Sequence, residues 1–182
     1  ISSAASDVYK RQLNALVLSF FRRFAQLLRE RFAADFQQAI REAQHQPMIV
    51  NDATELAKVL SVCWLKPGEA EQLGKQPFPL SLPFSQTYPL CCMDIRSLVE
   101  QYYSFSQGMT QYHQEIDAIL SQSLDDLLIQ LISVNIRDTV EQSNNLSQIA
   151  QIIVNIEHFQ LACSELEKWL SDSSTPCLLY TS

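Results

Sequence analysis

Apolar residues along most of the chain recur every three or four positions, which is the spacing of one face of an α-helix. The first such run predicts a long helix from Gln12 to Gln46. Pro47 ends it, because a proline forces the preceding residue out of helical conformation. We expect its apolar residues to form one buried stripe. These residues are Leu13, Leu16, Val17, Phe20, Phe21, Phe24, Leu27, Leu28, Phe32, Phe36 and Ile40.

A short capped helix follows the first one. Asp52 and Glu55 have the spacing of a capping box, in which each side chain accepts a hydrogen bond from an exposed amide of the first helical turn. This pair predicts a helix over residues 53 to about 64.

The next segment predicts an irregular connector. Residues 66–89 hold five of the seven prolines, and proline interrupts both helices and strands. We expect residues 67–88 to be a connector that packs a few apolar side chains, with Phe84 as its anchor. No segment of the chain alternates between apolar and polar residues for long enough to predict a β-strand.

The second half of the chain predicts three long helices. The first begins near Pro89, whose missing amide costs nothing in a first helical turn, and ends near Gly108. The second spans about 111–141 and the third spans about 146–170, behind an asparagine cap. Long helices with short links pack antiparallel. We therefore expect an all-α fold of long antiparallel helices that form part of a helical-bundle rod.

Composition and charge exclude several classes of function. The chain contains three glycines, which leaves no Gly-rich loop for a phosphate. Its net charge is −7, with +3 over residues 1–50 and −9 over residues 91–182. The acidic half argues against nucleic-acid binding. Five cysteines fit no zinc or disulfide pattern and suit a reducing cytosol, and no apolar run predicts a spanning helix.

Two groups of polar residues are candidates for chemistry. His158 and Cys163 lie five positions apart on the last helix, which places them about 140° apart and prevents the contact that a thiolate–imidazole pair needs. We expect Cys163 to be a small buried side chain on the apolar stripe. We expect His158 to border that stripe and to cap its packing or meet a neighbouring helix. His113 and Asp117 share a face, but two ligands do not make a metal site. We expect no catalytic, cofactor-binding or metal-binding residues. An enzyme that uses His113 or Cys163 is the competing hypothesis.

Residues 13–32 allow an alternative function. This segment is basic and aromatic, so it could lie on an acidic membrane surface as an amphipathic helix. We favour an ordinary core helix whose arginines pair with acids from the other half of the chain, because its apolar stripe otherwise lacks a partner.

The two ends of the chain differ from the patterns beside them. Residues 1–11 and 176–182 resemble translated adaptor sequence, and we exclude them from the fold. The chain is then an internal fragment of a longer protein. We divide the remainder into N-terminal helices over 12–66, the connector over 67–88 and a helical bundle over 89–172.

Three stretches of the chain resemble the Sec-fifteen family of exocyst subunits, also called exocyst component six. They are PFPLSLPFSQTYP, EIDAILSQSLDDLLIQLIS and SNNLSQIAQIIVNIEHFQLACSELEKWL. The resemblance covers about residues 24–172. It departs at Glu157, where the family has threonine before histidine, and at EQSNN, where the family has a basic stretch. The positions that match one by one in the last stretch are Gln151, Ile152, Ile153, Asn155, His158, Ala162, Cys163, Leu166 and Glu167.

The resemblance implies a non-enzymatic scaffold. Members of the family are rods of stacked helical bundles within the complex that tethers secretory vesicles to the plasma membrane. The implied partners are other exocyst subunits and a Rab-type GTPase, the latter through a region mostly outside this fragment. No partner-binding residue is carried over. The implied location is cytoplasmic and peripheral, at secretory vesicles and exocytic sites of the plasma membrane.

Overall fold

The computed structural model describes residues 2–109 and 111–179, and the side chains of all of these except 131, 132 and 173–179. Helices dominate it, which confirms the all-α class. No helix in this part of the chain is long and apolar enough to cross a membrane. The elements in chain order are α1 (Ser3–Glu42), β1 (Pro47–Val50), α2 (Ala53–Val62), α3 (Glu69–Gly74), β2 (Leu80–Ser85), α4 (Thr87–Ser106), α5 (His113–Ile129), a π-helical segment (Gln130–Ile136), α6 (Arg137–Gln142) and α7 (Leu146–Leu179).

Helix α1 differs from the prediction at both ends. It begins at Ser3 and is capped by the Ser2 hydroxyl, so residues 3–11 continue the helix. It ends at Glu42, because Ala43 takes an extended backbone with ψ of 140°. Pro47 therefore begins a strand and does not end the helix. The adaptor origin of residues 1–11 stays a prediction, and the side chains of 176–182 lie outside the described residues.

The expectation of no strand is wrong. Strands β1 and β2 pair antiparallel, with Ile49 opposite Ser81 and Val50 opposite Leu80. Along β2 the buried side chains of Leu80, Leu82 and Phe84 alternate with exposed ones, which is the period of a half-buried strand. This alternation does not predict a strand from the sequence, because the nearby prolines indicate an irregular segment. Pro83 lies on the exposed face of a two-stranded sheet, where proline is tolerated, and α3 fills the rest of the predicted connector.

The apolar residues of α1 do not form one stripe. The buried face consists of Phe21, Ala25, Leu28, Phe32, Phe36 and Ile40, and it packs against α4 and α5. Phe20 is 63% exposed, because one residue turns a helix by about 100° and Phe20 then points away from the face that holds Phe21. Leu13, Leu16 and Leu27 are also exposed.

The remaining helix signals are confirmed. Asp52 caps α2 by accepting from the Glu55 amide at 2.8 Å. Asn145 caps α7 by accepting from the amide of Ser147 at 3.0 Å. The helix predicted over 111–141 is present as α5, the π-helical segment and α6 in sequence. The predicted core residues Leu131 and Ile132 lie outside the described side chains.

The core is centred where α1, α4, α5 and β2 meet. Phe84, Tyr102 and Leu127 have no exposed surface, so the sequence correctly identified Phe84 as an anchor. The expected pairing of α1 arginines with the acidic half is present at Arg29, whose guanidinium lies 2.7 Å from the Asp126 carboxylate.

Phe84→Ala is predicted to destabilise the fold by about 3–5 kcal/mol, because it leaves a cavity in a fully buried position. Phe20→Ala, at an exposed position of the same residue type, is the control and should change stability by less than about 0.5 kcal/mol. Urea unfolding followed by circular dichroism measures both. Equal effects of the two changes would contradict this description of the core.

Asp94 on α4 gives the fold a pH dependence. Burial, and then the carboxylate of Asp35, raise the pKa of Asp94 to about 6 from its ordinary 3.8. The native state therefore holds this proton more tightly than the unfolded chain does. The resulting stabilisation is complete below pH 3.8 and is lost as the pH rises through about 6.

Asp94→Asn is accordingly predicted to raise the free energy of unfolding at pH 8 by about 1 kcal/mol, after allowance for solvent screening of a partly exposed group. The gain should shrink as the pH falls to about 5, where the parent regains its proton. Urea unfolding across this pH range measures it, with the exposed Asp125→Asn as control. A gain at Asp94 that does not change with pH would contradict the prediction.

Candidate functional site: a polar junction on helix α7

The buried face of α7 is mixed: Ile152 and Leu166 are buried, as an apolar stripe predicts, but three polar residues are buried beside them. Gln151, Asn155 and His158 are 8%, 8% and 3% exposed, whereas Ile153 is 57% exposed. Their spacing of four and three places these polar residues on one face of the helix. That face packs against β2, so polar groups of β2 and of the loops beside it decide which residues of α7 are buried.

Asn155 is the centre of a saturated hydrogen-bond network. Its Oδ1 accepts from the Ser85 amide at 3.0 Å and from Gln151 Nε2 at 3.1 Å. Its Nδ2 donates to Ser85 Oγ at 2.7 Å and to Thr87 Oγ1 at 3.0 Å. All four hydrogen-bonding positions of the amide are used. The network fastens α7 to the point where β2 ends and α4 begins.

His158 forms a buried hydrogen-bonded pair with Glu69, the first residue of α3. Its Nε2 lies 2.8 and 2.9 Å from the two carboxylate oxygens, and the Lys66 amide donates to the same carboxylate at 3.0 Å. The edges of the imidazole meet the rings of Phe84 and Tyr88 at centroid distances of 5.0 and 4.7 Å. The pair thus fastens α3 to α7. His158 meets a neighbouring helix, as the sequence predicted.

An aromatic cluster continues this junction. The Tyr88 hydroxyl donates to the Trp64 carbonyl at 2.5 Å, and the indole rings of Trp64 and Trp169 meet at 5.4 Å. The guanidinium of Arg96 lies 4.3 Å from the Trp64 ring centroid and 5.1 Å from that of Trp169. Cation–π contacts of this kind hold a partly buried arginine in place. The cluster connects the loop after α2, helix α4 and the distal half of α7.

The junction has no catalytic geometry. The side chains of His158 and Glu69 are 2% and 9% exposed, so a substrate has no access to them. Tyr88 is occupied by its bond to Trp64, and burial raises the pKa of its hydroxyl. Cys163 is half-buried, which corrects the prediction of a buried thiol. Burial, followed by the nearby Glu167, raises the pKa of that thiol, whereas a nucleophilic thiol needs a lowered one.

No hydrogen bond or ion pair joins the other two candidates, His113 and Asp117, among the described residues. Asp117 accepts a hydrogen bond from the Tyr103 hydroxyl at 3.0 Å. The Nε2 of His113 is buried without a hydrogen-bond partner among the described residues. Within residues 2–109 and 111–172, no group of three or more His, Cys, Asp or Glu side chains is placed to hold a metal ion.

A small cavity of about 50 Å³ lies beside the junction, between α1, the π-helical segment and α7. Phe36, Ile152 and Phe159 line it together with His45. Burial lowers the pKa of His45, whose Nδ1 has no hydrogen-bond partner among the described residues. Pockets for cofactors measure about 300–1,000 Å³, so this cavity is a packing defect and does not hold a cofactor.

Sequence reasoning identified His158 but missed its partners. Glu69, Ser85 and Thr87 lie in the predicted connector, 68 to 89 positions from their partners on α7. The available signal was the four-and-three spacing of Gln151, Asn155 and His158, which indicates a polar face on an otherwise apolar helix. That spacing does not show which distant residues pair with the face.

His158→Phe is predicted to destabilise the fold by about 3–5 kcal/mol, because it leaves the Glu69 carboxylate buried and unpaired. Adding Glu69→Met should recover much of this loss, since the double variant buries no charge. Urea unfolding of the parent, both single variants and the double variant measures the coupling. Glu71→Met, at an exposed position of α3, is the control. Additive effects of the two changes would contradict the pairing of His158 with Glu69.

Comparison with known proteins identifies the family. Residues 12–177 match the family model described as Exocyst complex subunit Sec15 C-terminal. The chain is 29% identical over 164 residues to exocyst complex component SEC15 of Saccharomyces cerevisiae. The match covers 87% of this chain and 18% of that protein.

Mammalian exocyst components also match the chain. Identity is 25% over 162 residues to mouse exocyst complex component 6B, covering 88% of the chain and 20% of the relative. Identity is 26% over 150 residues to human exocyst complex component 6. This match covers 82% of the chain and 18% of that relative. No solved structure matches the chain significantly. The chain spans about a fifth of the length of these relatives, and it belongs to the Sec15 family of exocyst complex subunits, within the region that the C-terminal family model describes.

Proposed function

We propose that this chain is a non-enzymatic scaffold segment of an exocyst subunit that acts in exocytosis by tethering secretory vesicles. The observation that carries the proposal is the match of residues 12–177 to the Sec15 family. The relatives are named as components of the exocyst complex. Membership of such a complex requires surfaces that bind other subunits.

The architecture supports a mechanical role. Helix α1 has 40 residues and is about 60 Å long, and α7 has 34 residues. The buried side chain of Asn155 bonds to the end of β2 and the start of α4. That of His158 bonds to Glu69 on α3. A structure of this kind holds surfaces at fixed separations. We infer that its contribution to tethering is geometric.

We further propose that the whole subunit bridges a Rab-type GTPase on the vesicle to other exocyst subunits. The subunit would then be cytoplasmic and peripherally associated with vesicles and exocytic sites through the complex. The family model that matches is that of the C-terminal region. This is the end of the subunit to which the family resemblance assigns the Rab contact, although we expect most of that contact outside residues 1–182.

The membrane-binding hypothesis for residues 13–32 is not favoured. Only part of the apolar surface of this segment is free for a bilayer, because Phe21, Leu28 and Phe32 are 2%, 6% and 7% exposed and belong to the core. A membrane would have to compete with the intramolecular packing of α1 against α4 and α5.

Affinity purification of the full-length subunit from cell extract tests the proposal. Other exocyst subunits should co-purify, together with a Rab GTPase that binds when loaded with a non-hydrolysable GTP analogue and not with GDP. A variant carrying Phe84→Asp, which should unfold this segment, is the control and should lose part of this set. Recovery of no exocyst subunit would contradict the scaffold role. Recovery of subunits without a Rab protein would contradict only the bridging role.

A further inference from the structure

The N-terminal half of α1 has a second apolar face that the rest of the described chain leaves uncovered. Leu13, Leu16, Phe20 and Leu27 are 59%, 47%, 63% and 48% exposed, and we call these four residues the α1 stripe. Their spacing of three, four and seven places them on one line that is about 21 Å long. The stripe lies roughly 100° around the helix from the buried face.

The exposed apolar surface extends from the stripe onto α4. Phe24 lies four residues after Phe20 and three before Leu27, so it borders the stripe. Its ring stacks on that of Phe105 with centroids 3.9 Å apart, and Phe105 is itself 48% exposed. Soluble proteins rarely expose several large apolar side chains side by side unless the surface binds something.

The charges beside the stripe are positive and lack acidic partners. Residues 12–31 contain four arginines and one glutamate, a net charge of +3 in a chain whose net charge is −7. Arg29, on another face, pairs with Asp126. Arg23 and Arg31 lie three or four residues from stripe members, and they donate to glutamine side-chain oxygens at 3.4 and 2.6 Å. Neither forms an ion pair with a carboxylate among the described residues.

We propose that the α1 stripe docks an amphipathic helix whose apolar side chains are flanked by Asp or Glu. A straight line of apolar residues at helical spacing is the surface that a second helix covers when the two pack side by side. Carboxylates on the flanks of that helix would reach Arg23 and Arg31, as charged flanking residues do in coiled coils. This proposal deepens the scaffold role and rests on it, because a scaffold subunit binds helices of other subunits.

The shape and charge of the chain favour a helix over a membrane. The stripe is one side chain wide on α1, and Phe24 and Phe105 extend it on one side only, whereas a helix that lies in a bilayer presents a broad apolar face. The chain as a whole carries −7, so anionic lipids would repel most of its surface. A local +3 in an acidic chain suits a small acidic ligand that contacts this segment alone.

Fluorescence anisotropy with the purified 182-residue chain tests the proposal. The probe is a designed helical peptide of about 20 residues, with a stripe of leucines flanked by glutamates. A control peptide has the same leucines and carries lysines in place of the glutamates. The glutamate peptide should bind and the lysine peptide should not. Phe20→Glu should weaken binding by at least about tenfold. Leu161→Glu on α7, at a side chain that is 49% exposed, is the control and should not change it.

Charge reversal makes the test specific. The double variant Arg23→Glu, Arg31→Glu should lose the glutamate peptide and gain the lysine peptide, with unchanged circular dichroism. Three results would overturn the proposal: equal binding of both peptides, flotation with anionic vesicles without peptide binding, or dimerisation of the chain that Phe20→Glu abolishes. Peptide binding needs no exocyst, so its failure is separate from a failure of the affinity purification.

Discussion

The fold depends on the four hydrogen bonds of the Asn155 side chain and on the hydrogen-bonded pair three residues further along α7. Together they fasten a long helix to β2, to the start of α4 and to α3, which are far away in sequence. Burial of an amide costs little stability when each of its donors and acceptors forms a hydrogen bond. Loss of one partner would leave several buried polar groups without a hydrogen bond. We infer that this polar face, more than the apolar residues of α7, determines how the helix is seated.

The helices could be predicted because their signals are local. The pairs Asp52 with Glu55 and Asn145 with Ser147 operate within one turn. Pro89 restricts its own backbone, and Gly108 permits the positive φ of 90° that follows the end of α4. The strands could not be predicted in the same way. Leu80, Leu82 and Phe84 alternate correctly, but the nearby prolines indicate an irregular segment, and the pairing partner lies about thirty residues upstream.

The two faces of α1 show a second limit of pattern reading. Phe20 and Phe21 both fit an apolar repeat of three and four, yet one is exposed and the other is buried. Only the positions of α4 and α5 decide which of them enters the core. The same limit applies at the junction, where the sequence indicates that His158 meets another helix but not that Glu69 is its partner. Family membership supports the proposed function, which no side-chain arrangement indicates.

Hydrogen exchange at the Ser85 amide tests whether the polar residues hold α7 in place, because this N–H donates to Asn155 Oδ1. In the parent chain we expect this amide to exchange only through global unfolding. In Asn155→Ala it should exchange much faster, and the α7 amides beside it should lose protection with it. Unchanged protection at Ser85 and along α7 in that variant would show that apolar packing alone seats the helix, and would contradict this expectation.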